Sequence, residues 1–527
     1  MNSDKYVDRR SKSQLNWIMS ALLVSIFLTQ VDQTIVSTAL PTIVSELNGL
    51  QQMSWVFTVY MLASTVMMPI AGKLSDIFGR KSFYMLGLSL FMSGSILCGL
   101  ADSMTQLILF RGIQGLGAGF IIPITFTLVF TIMPKEKAGK YQAFYMSVFA
   151  LSSVVGPSLG ALITEHLDWR WNFYINLPVG LYIFIVLNRC LRDKQRAAEG
   201  RPSVDVKGAL LLALTTLSIL LALKMGGEQF AWLSVPIIGL ILLGAIGLTL
   251  FLVVEMRVKE PILPPALFRS KVISATLTAT FLQGMIMYGA LLYIPLFVQG
   301  SMGGDVGDAG NTLTPMMFSI MIGATLSNFL LKRWTYRSGI IASMSMAGLG
   351  MLGMTYMPLD VHFWIMALVM LLIGIGIGIL MPLAQMAVTY SAEDRFKGIA
   401  TSTVGFSRSV GGVFGSAVLA AIVNNRLSSA VQEHAAEFNL SGEELASLAD
   451  PRQLLSVDSS LSDAAARLLR QALGNSLQLG FWFLVIVAGL GIVAALWTGK
   501  ARFETDELST PDKSATTSAA SIPGVGH

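Results

Sequence analysis

The chain has 527 residues, 54% of them hydrophobic and 13% charged, with a mean hydropathy of +0.66. A water-soluble fold of this length is excluded, because apolar runs of about 20 residues recur, each able to cross about 30 Å of hydrocarbon as a helix. The net charge of +5 comes from basic residues in short segments between those runs, so the expected surroundings are a lipid bilayer and nucleic acid is not an expected partner.

In chain order, the apolar runs predict fourteen spans: 15–40, 53–73, 82–101, 105–132, 141–163, 171–190, 208–225, 231–254, 272–298, 312–331, 338–357, 362–389, 399–423 and 476–498. The fold class is therefore an all-α polytopic membrane protein. The first run is too long for a signal-peptide core and lacks a small-residue cleavage site. Basic residues cluster in alternate loops, among them Lys73, Arg80 and Lys81, then Lys135, Lys137 and Lys140, then Lys332, Arg333 and Arg337. Placing those loops inside puts both termini in the cytoplasm, with Arg170 the main exception outside. Cys98 and Cys190, the two cysteines, make neither a disulfide framework nor a metal site.

One stretch organises the rest. Gln14 to Pro41 reads as a single span whose one acid is Asp32. A carboxylate at that depth is costly and faces a protein interior or a wet cavity, which makes it a functional-site candidate. Arg111, in the fourth span, lies at a similar expected depth and can pair with it if the helices are neighbours. Two more regions stand apart. The expected outer connection 424–475 contains amphipathic stretches such as Leu461 to Leu473, and reads as a solvated cap or as a lid for a lipid-like substrate. The tail 499–527, rich in Ser, Thr, Ala and Pro, is expected to be disordered, as a short segment before residue 15 precedes the first span.

The chain also repeats itself at an offset near 255 residues. Gly115, Gly117, Gly119 and Pro123 match Gly374, Gly376, Gly378 and Pro382; Gly156, Pro157 and Gly160 match Gly411, Gly412 and Gly415. The expected organisation is a six-helix bundle over 15–191, a linker and inserted hairpin over 192–270, and a second six-helix bundle over 271–498. Two such halves with a site between them suit alternating access. Arg111 and Gln114 align with Met370 and Ile373, so the first half kept the charges and reads as the ion-coupling half.

Several motifs carry chemistry. Gly72, Asp76, Gly79, Arg80 and Lys81 sit in the loop after the second span, where the glycines allow a tight turn and Asp and Arg can pair and cap helix ends. This segment resembles the signature loop of the major facilitator superfamily, although Ile77 stands where that family has a basic residue. Arg111-Gly-Ile-Gln114-Gly115 resembles the superfamily's embedded arginine motif, and Gly156-Pro157-Ser-Leu-Gly160 its antiporter motif. Asp32-Gln-Thr34-Ile35 through Pro41, and Trp169-Arg-Trp171-Asn172 through Gly180, are similar to motifs of the fourteen-span drug:proton antiporter family. The resemblance covers about residues 15–498. It implies two bundles plus a hairpin, a loop that latches the halves in the outward-facing state, and a monomer in a bacterial cytoplasmic membrane.

The expected function is proton-coupled efflux of lipophilic drugs or toxic compounds. Asp32 takes a proton from outside as substrate leaves and releases it inside, with Arg111 as its partner. A cationic substrate would compete with that proton directly. Candidate substrate contacts are Gln114, Gln283, Tyr288, Tyr293, Gln385, Trp482 and Arg408, polar or aromatic groups within spans. The runner-up is export of a lipid, glycolipid or siderophore-like metabolite. A membrane enzyme is disfavoured, since the four histidines, His166, His362, His434 and His527, are scattered and no nucleophile–base pair appears. No cofactor is expected, and the absence of a nucleotide-binding loop leaves an ion gradient as the energy source.

Overall fold

The computed structural model describes residues 12–47, 52–133, 135–191, 205–227, 229–258, 260–304, 306–331, 333–433, 463–499 and 501–502. They are helical almost throughout. The first group is α1 (Lys12–Leu47), α2 (Met53–Phe78), α3 (Arg80–Gly99), α4 (Met104–Ile132), α5 (Lys135–His166), the short α6 (Trp171–Tyr174) and α7 (Asn176–Cys190). A hairpin follows, α8 (Val206–Met225) and α9 (Val235–Glu255), then the short α10 (Pro265–Arg269). The last group is α11 (Lys271–Leu296), α12 (Val306–Leu331), α13 (Tyr336–Thr355), α14 (Phe363–Ser391), α15 (Lys397–Glu433) and α16 (Asp463–Leu496). Thirteen helical segments among the described residues are long and apolar enough to cross a membrane. The other expected span, 141–163, lies inside α5.

The helices form because hydrocarbon offers no hydrogen bonds, so each backbone group must be satisfied within its own segment. Starts are marked by side-chain caps: Ser103 Oγ accepts from Gln106 N at 3.3 Å, Asp205 Oδ1 from Gly208 N at 2.8 Å, and Thr335 Oγ1 from Ser338 N at 3.1 Å. Proline does not end these helices. α1 was expected to stop near residue 40, yet it continues through Pro41 to Leu47. The connection expected over 424–475 is likewise shortened by helix, since α15 runs on to Glu433 and α16 starts at Asp463. Its centre, with the triplet Asn439-Leu-Ser441, lies outside the described residues, as does the tail beyond Arg502. The sixth span is broken at Ile175, so that Asn176 opens α7.

Packing repeats along the chain. In the first group α1 lies on α5, and α2 and α3 on α4; in the last, α11 lies on α15, and α12 and α13 on α14. The glycines matched by sequence sit at equivalent crossings. Gly115 meets the Tyr60 carbonyl of α2 as Gly374 meets the Met316 carbonyl of α12, and Gly117 meets Phe91 of α3 as Gly376 meets Ala347 of α13. A Cβ at any of them would overlap the facing backbone, so small residues set the helix spacing. Between the groups, α2 and α4 touch α15, and α5 touches α12 and α14. α8 lies against both α2 and α15, with α9 outside it presenting Leu242, Ile246 and Leu250 outward.

Candidate functional site

Asp32 is completely buried, and so is Arg111. Arg111 Nη1 donates to Asp32 Oδ2 at 2.7 Å and to Gln114 Oε1 at 2.8 Å. Asp32 Oδ1 accepts from Gln114 Nε2 and from Asn176 Nδ2, both at 2.7 Å. Ser95 Oγ receives the same two amides, Gln114 at 3.1 Å and Asn176 at 2.8 Å, and passes its own proton to the Phe173 carbonyl. The carboxylate thus has three short donors contributed by α4 and α7, an arrangement that offsets the loss of hydration.

The remaining face of Arg111 is aromatic. Its guanidinium carbon stands 4.2 Å from the centre of the Tyr60 ring and 5.9 Å from that of Phe173. Its Nε and Nη2 have no hydrogen-bond partner, and the stacked Tyr60 ring is what meets the cation. Tyr60 matters because its ring also reaches the central cavity.

That cavity, about 120 Å³, lies between the two groups of helices. It is walled by residues of α1, α2, α4, α5, α11, α14 and α15, including Gln30, Gln33, Tyr60, Tyr288, Gln385 and Arg408. Asp32 does not line it, nor do Arg111 and Gln114. This corrects two expectations. Asp32, expected to meet a cationic substrate directly, is set back from the cavity wall behind Arg111 and Tyr60. Gln114, expected as a substrate contact, belongs to the carboxylate's network and does not line this cavity.

Of the other expected contacts, three line the cavity: Tyr288, Gln385 and Arg408. Gln385 Nε2 also donates to the Thr401 carbonyl at 3.1 Å, tying α14 to α15. Three do not. Gln283 is buried and donates to the Ile377 carbonyl at 2.6 Å, bridging α11 and α14. The Tyr293 hydroxyl donates to the Ser416 carbonyl at 3.3 Å on the α11–α15 seam. Trp482 is 38% exposed and packs edge-on against Tyr356, on the outside of the bundle. Sequence reasoning missed Tyr60 and Ser95, and it quoted Asn176 only within a motif.

One side of the cavity leads to the contact between α2 and α15. Ser402 of α15 lines the cavity and also faces Gly72 of α2, where a Cβ would collide with the serine hydroxyl. One turn on, Asp76 Oδ2 accepts from Ile399 N at 3.0 Å, capping the start of α15 with a carboxylate. Arg80 holds the other Asp76 oxygen at 3.4 Å and reaches Thr131 of α4. Lys81 Nζ donates to the Asn188 carbonyl at 2.7 Å. Gly79 has φ 104°, a left-handed turn between α2 and α3 that a side chain would strain. Lys73, buried on α2, pairs at 2.8 Å with Glu260, which follows the hairpin.

Elsewhere Gly156 and Gly160 seat α5 on α1, against Thr34, Ile35 and Thr38. Thr38 Oγ1 donates to the Pro157 carbonyl at 3.1 Å. At the far end of α1, Glu46 accepts from Trp169 Nε1 and from Arg170 Nη1, each at 2.7 Å, which explains a basic residue in that loop.

A profile of the Major Facilitator Superfamily matches residues 22–416. The chain belongs to that superfamily. It is 37% identical over 415 residues to Multidrug transporter protein MdtP of Bacillus subtilis (strain 168), covering 79% of this chain and 76% of that protein. It is 34% identical over 499 residues to Multidrug resistance protein 3 of the same organism, covering 94% and 97%. Among solved structures, the human organic anion transporter MFSD10 (TETRAN) superposes with a TM-score of 0.57 over 89% of this chain and 99% of that one; at 13% identity this shows the fold alone. This superfamily member is a multi-pass membrane transporter with relatives named as transporters, not enzymes.

Proposed function

We propose that this transporter exports lipophilic small molecules in exchange for protons, by alternating access through fourteen spans with both termini in the cytoplasm. The observation that carries the reading is the buried Asp32, held by Arg111, Gln114 and Asn176, with Tyr60 touching both Arg111 and the central cavity. Protonation of Asp32 removes the countercharge of Arg111 while leaving the guanidinium against a ring that touches cargo. Substrate binding shifts Tyr60, and Tyr60 shifts the balance of the pair, so coupling is indirect and a neutral substrate can drive it.

The latch supports the conformational half of the reading. Asp76 and Gly72 join α2 to α15, and those contacts must part for the cavity to open on that side. The two Bacillus relatives, one named for multidrug transport and one for multidrug resistance, support a lipophilic cargo.

The test uses purified protein in liposomes with an internal pH dye, comparing wild type with Asp32→Asn and with the doubly neutral Asp32→Asn/Arg111→Gln. Substrate-evoked proton movement is expected from wild type alone. Full proton movement from the doubly neutral protein would remove Asp32 from the coupling path.

A further inference from the structure

Among the described residues, Arg408 is the only charged one on the cavity wall, and no aspartate or glutamate lines it. Its Nε and Nη2 are buried and have no hydrogen-bond partner. Among the described residues no carboxylate pairs with it and no aromatic ring stacks on it. Arg111 offers the contrast: completely buried where Arg408 is only half-buried, it has Asp32 as a countercharge and Tyr60 as a platform.

A guanidinium with two buried, idle donors is costly, and the cost is recovered when an anion arrives. The planar fork of arginine suits a carboxylate, sulfonate or phosphate held by two parallel bonds. Neighbouring groups complete a receptor. Ser409 lies beside Arg408 on α15, Tyr288 faces it from α11, and the amides of Gln30 and Gln33 enter from α1. Met68, Met287 and Met381 supply deformable apolar walls for the rest of a molecule.

We propose that the central cavity selects amphiphilic anions, an apolar body carrying a carboxylate, sulfonate or phosphate, and that Arg408 receives the anionic group. This deepens the exporter reading and rests on it for the direction of transport. It also assigns different work to the two arginines: Arg111 answers to the proton on Asp32, and Arg408 answers to the cargo. A cation fits poorly, since the wall offers it a like charge and no acid.

Two dyes with the same xanthene skeleton test the assignment. Fluorescein at pH 8 is an anion, and rhodamine 123, whose carboxyl is esterified, is a cation. Binding to the purified full chain is read by fluorescence anisotropy for wild type, Arg408→Gln and Arg408→Lys. Wild type is expected to prefer fluorescein. Arg408→Gln should weaken fluorescein at least about ten-fold, the scale of a lost charged hydrogen bond, and leave rhodamine 123 unchanged or tighter. Arg408→Lys should recover part of the loss, because the charge returns without the fork. Arg408→Gln removes an unpaired charge and is expected to fold.

A purely structural arginine would shift both dyes alike, and that result overturns the proposal. So does a wild type that binds neither fluorescein nor phosphatidylglycerol. Displacement of fluorescein by phosphatidylglycerol but not by phosphatidylcholine supports the site and places the anionic group on a lipid headgroup; fluorescein bound without such displacement supports it with a soluble anion. Flux in liposomes separates the two readings. Anion-selective binding with no flux of either dye refutes export and leaves the site standing, whereas flux of rhodamine 123 without anion binding keeps export and refutes the site.

Discussion

Replacing Asp32 by asparagine tests the buried pair most sharply. Asp32 Oδ1 receives two amide donors and Oδ2 receives Arg111. An asparagine amide, in either orientation, points an NH2 at a donor, so at least one bond is lost. It also strands the fully buried Arg111 charge, a change that costs about 3–5 kcal/mol where one partner of a buried pair is removed. A marked loss of stability is therefore expected for Asp32→Asn. Arg111→Gln alone strands the carboxylate and should cost a similar amount. The double variant strands nothing, so its loss should be smaller than either single loss, a coupling of at least about 3 kcal/mol. Thermal melting in one detergent, across the four proteins of the cycle, measures this. Additive losses would refute the idea that the pair acts as a unit.

Other expectations follow from contacts already described. Tyr60→Phe keeps the ring over Arg111 and should keep substrate-evoked proton movement, whereas Tyr60→Leu removes about 2 kcal/mol of desolvated cation–ring attraction and should uncouple proton from cargo in the liposome assay. Asp76→Ala deletes the carboxylate cap on α15; a loss of about 1–2 kcal/mol should shift the opening equilibrium about ten-fold, read by spin-label distances between α2 and α15. Gly160→Val places atoms against the Ile35 carbonyl and should separate α1 from α5, with a lower melting temperature and poor expression. Lys73→Met should be tolerated, because its partner Glu260 is 53% exposed and regains water.

How far the sequence carried these conclusions depends on the kind of residue. Asp32 and Arg111 were legible because a charge in an apolar run has few bland explanations, and their pairing followed from equal depth. The repeat was legible because glycines at helix crossings cannot be replaced without moving backbone, so their spacing survives in both halves. Ser95 and Asn176 were not legible as ligands of Asp32, since neutral polar residues are common in spans and satisfy themselves in many ways. Direction was the harder loss. Helices apolar on every side carry no periodic signal for which face meets the cavity, so Gln283, Tyr293 and Trp482 looked equivalent to Tyr288, Gln385 and Arg408 and were not. Pro41 misled because its usual meaning, the end of a helix, belongs to water-exposed chains.

The hairpin of α8 and α9 has a consequence for motion. α8 rests at once on α2 and α15, helices from opposite groups that the latch holds together. Ile70 of α2 packs into the small apolar cluster around Leu212, Phe251 and Ile262, and the Lys73–Glu260 pair ties the same stretch of α2 to the segment after α9. In the alternating-access cycle proposed above, parting of α2 from α15 would make the hairpin travel with one helix and slide along the other. It is therefore a third body in the cycle, a side rail whose grip on each helix adds to the barrier for opening, and shortening it would alter the speed of exchange without touching cargo or proton.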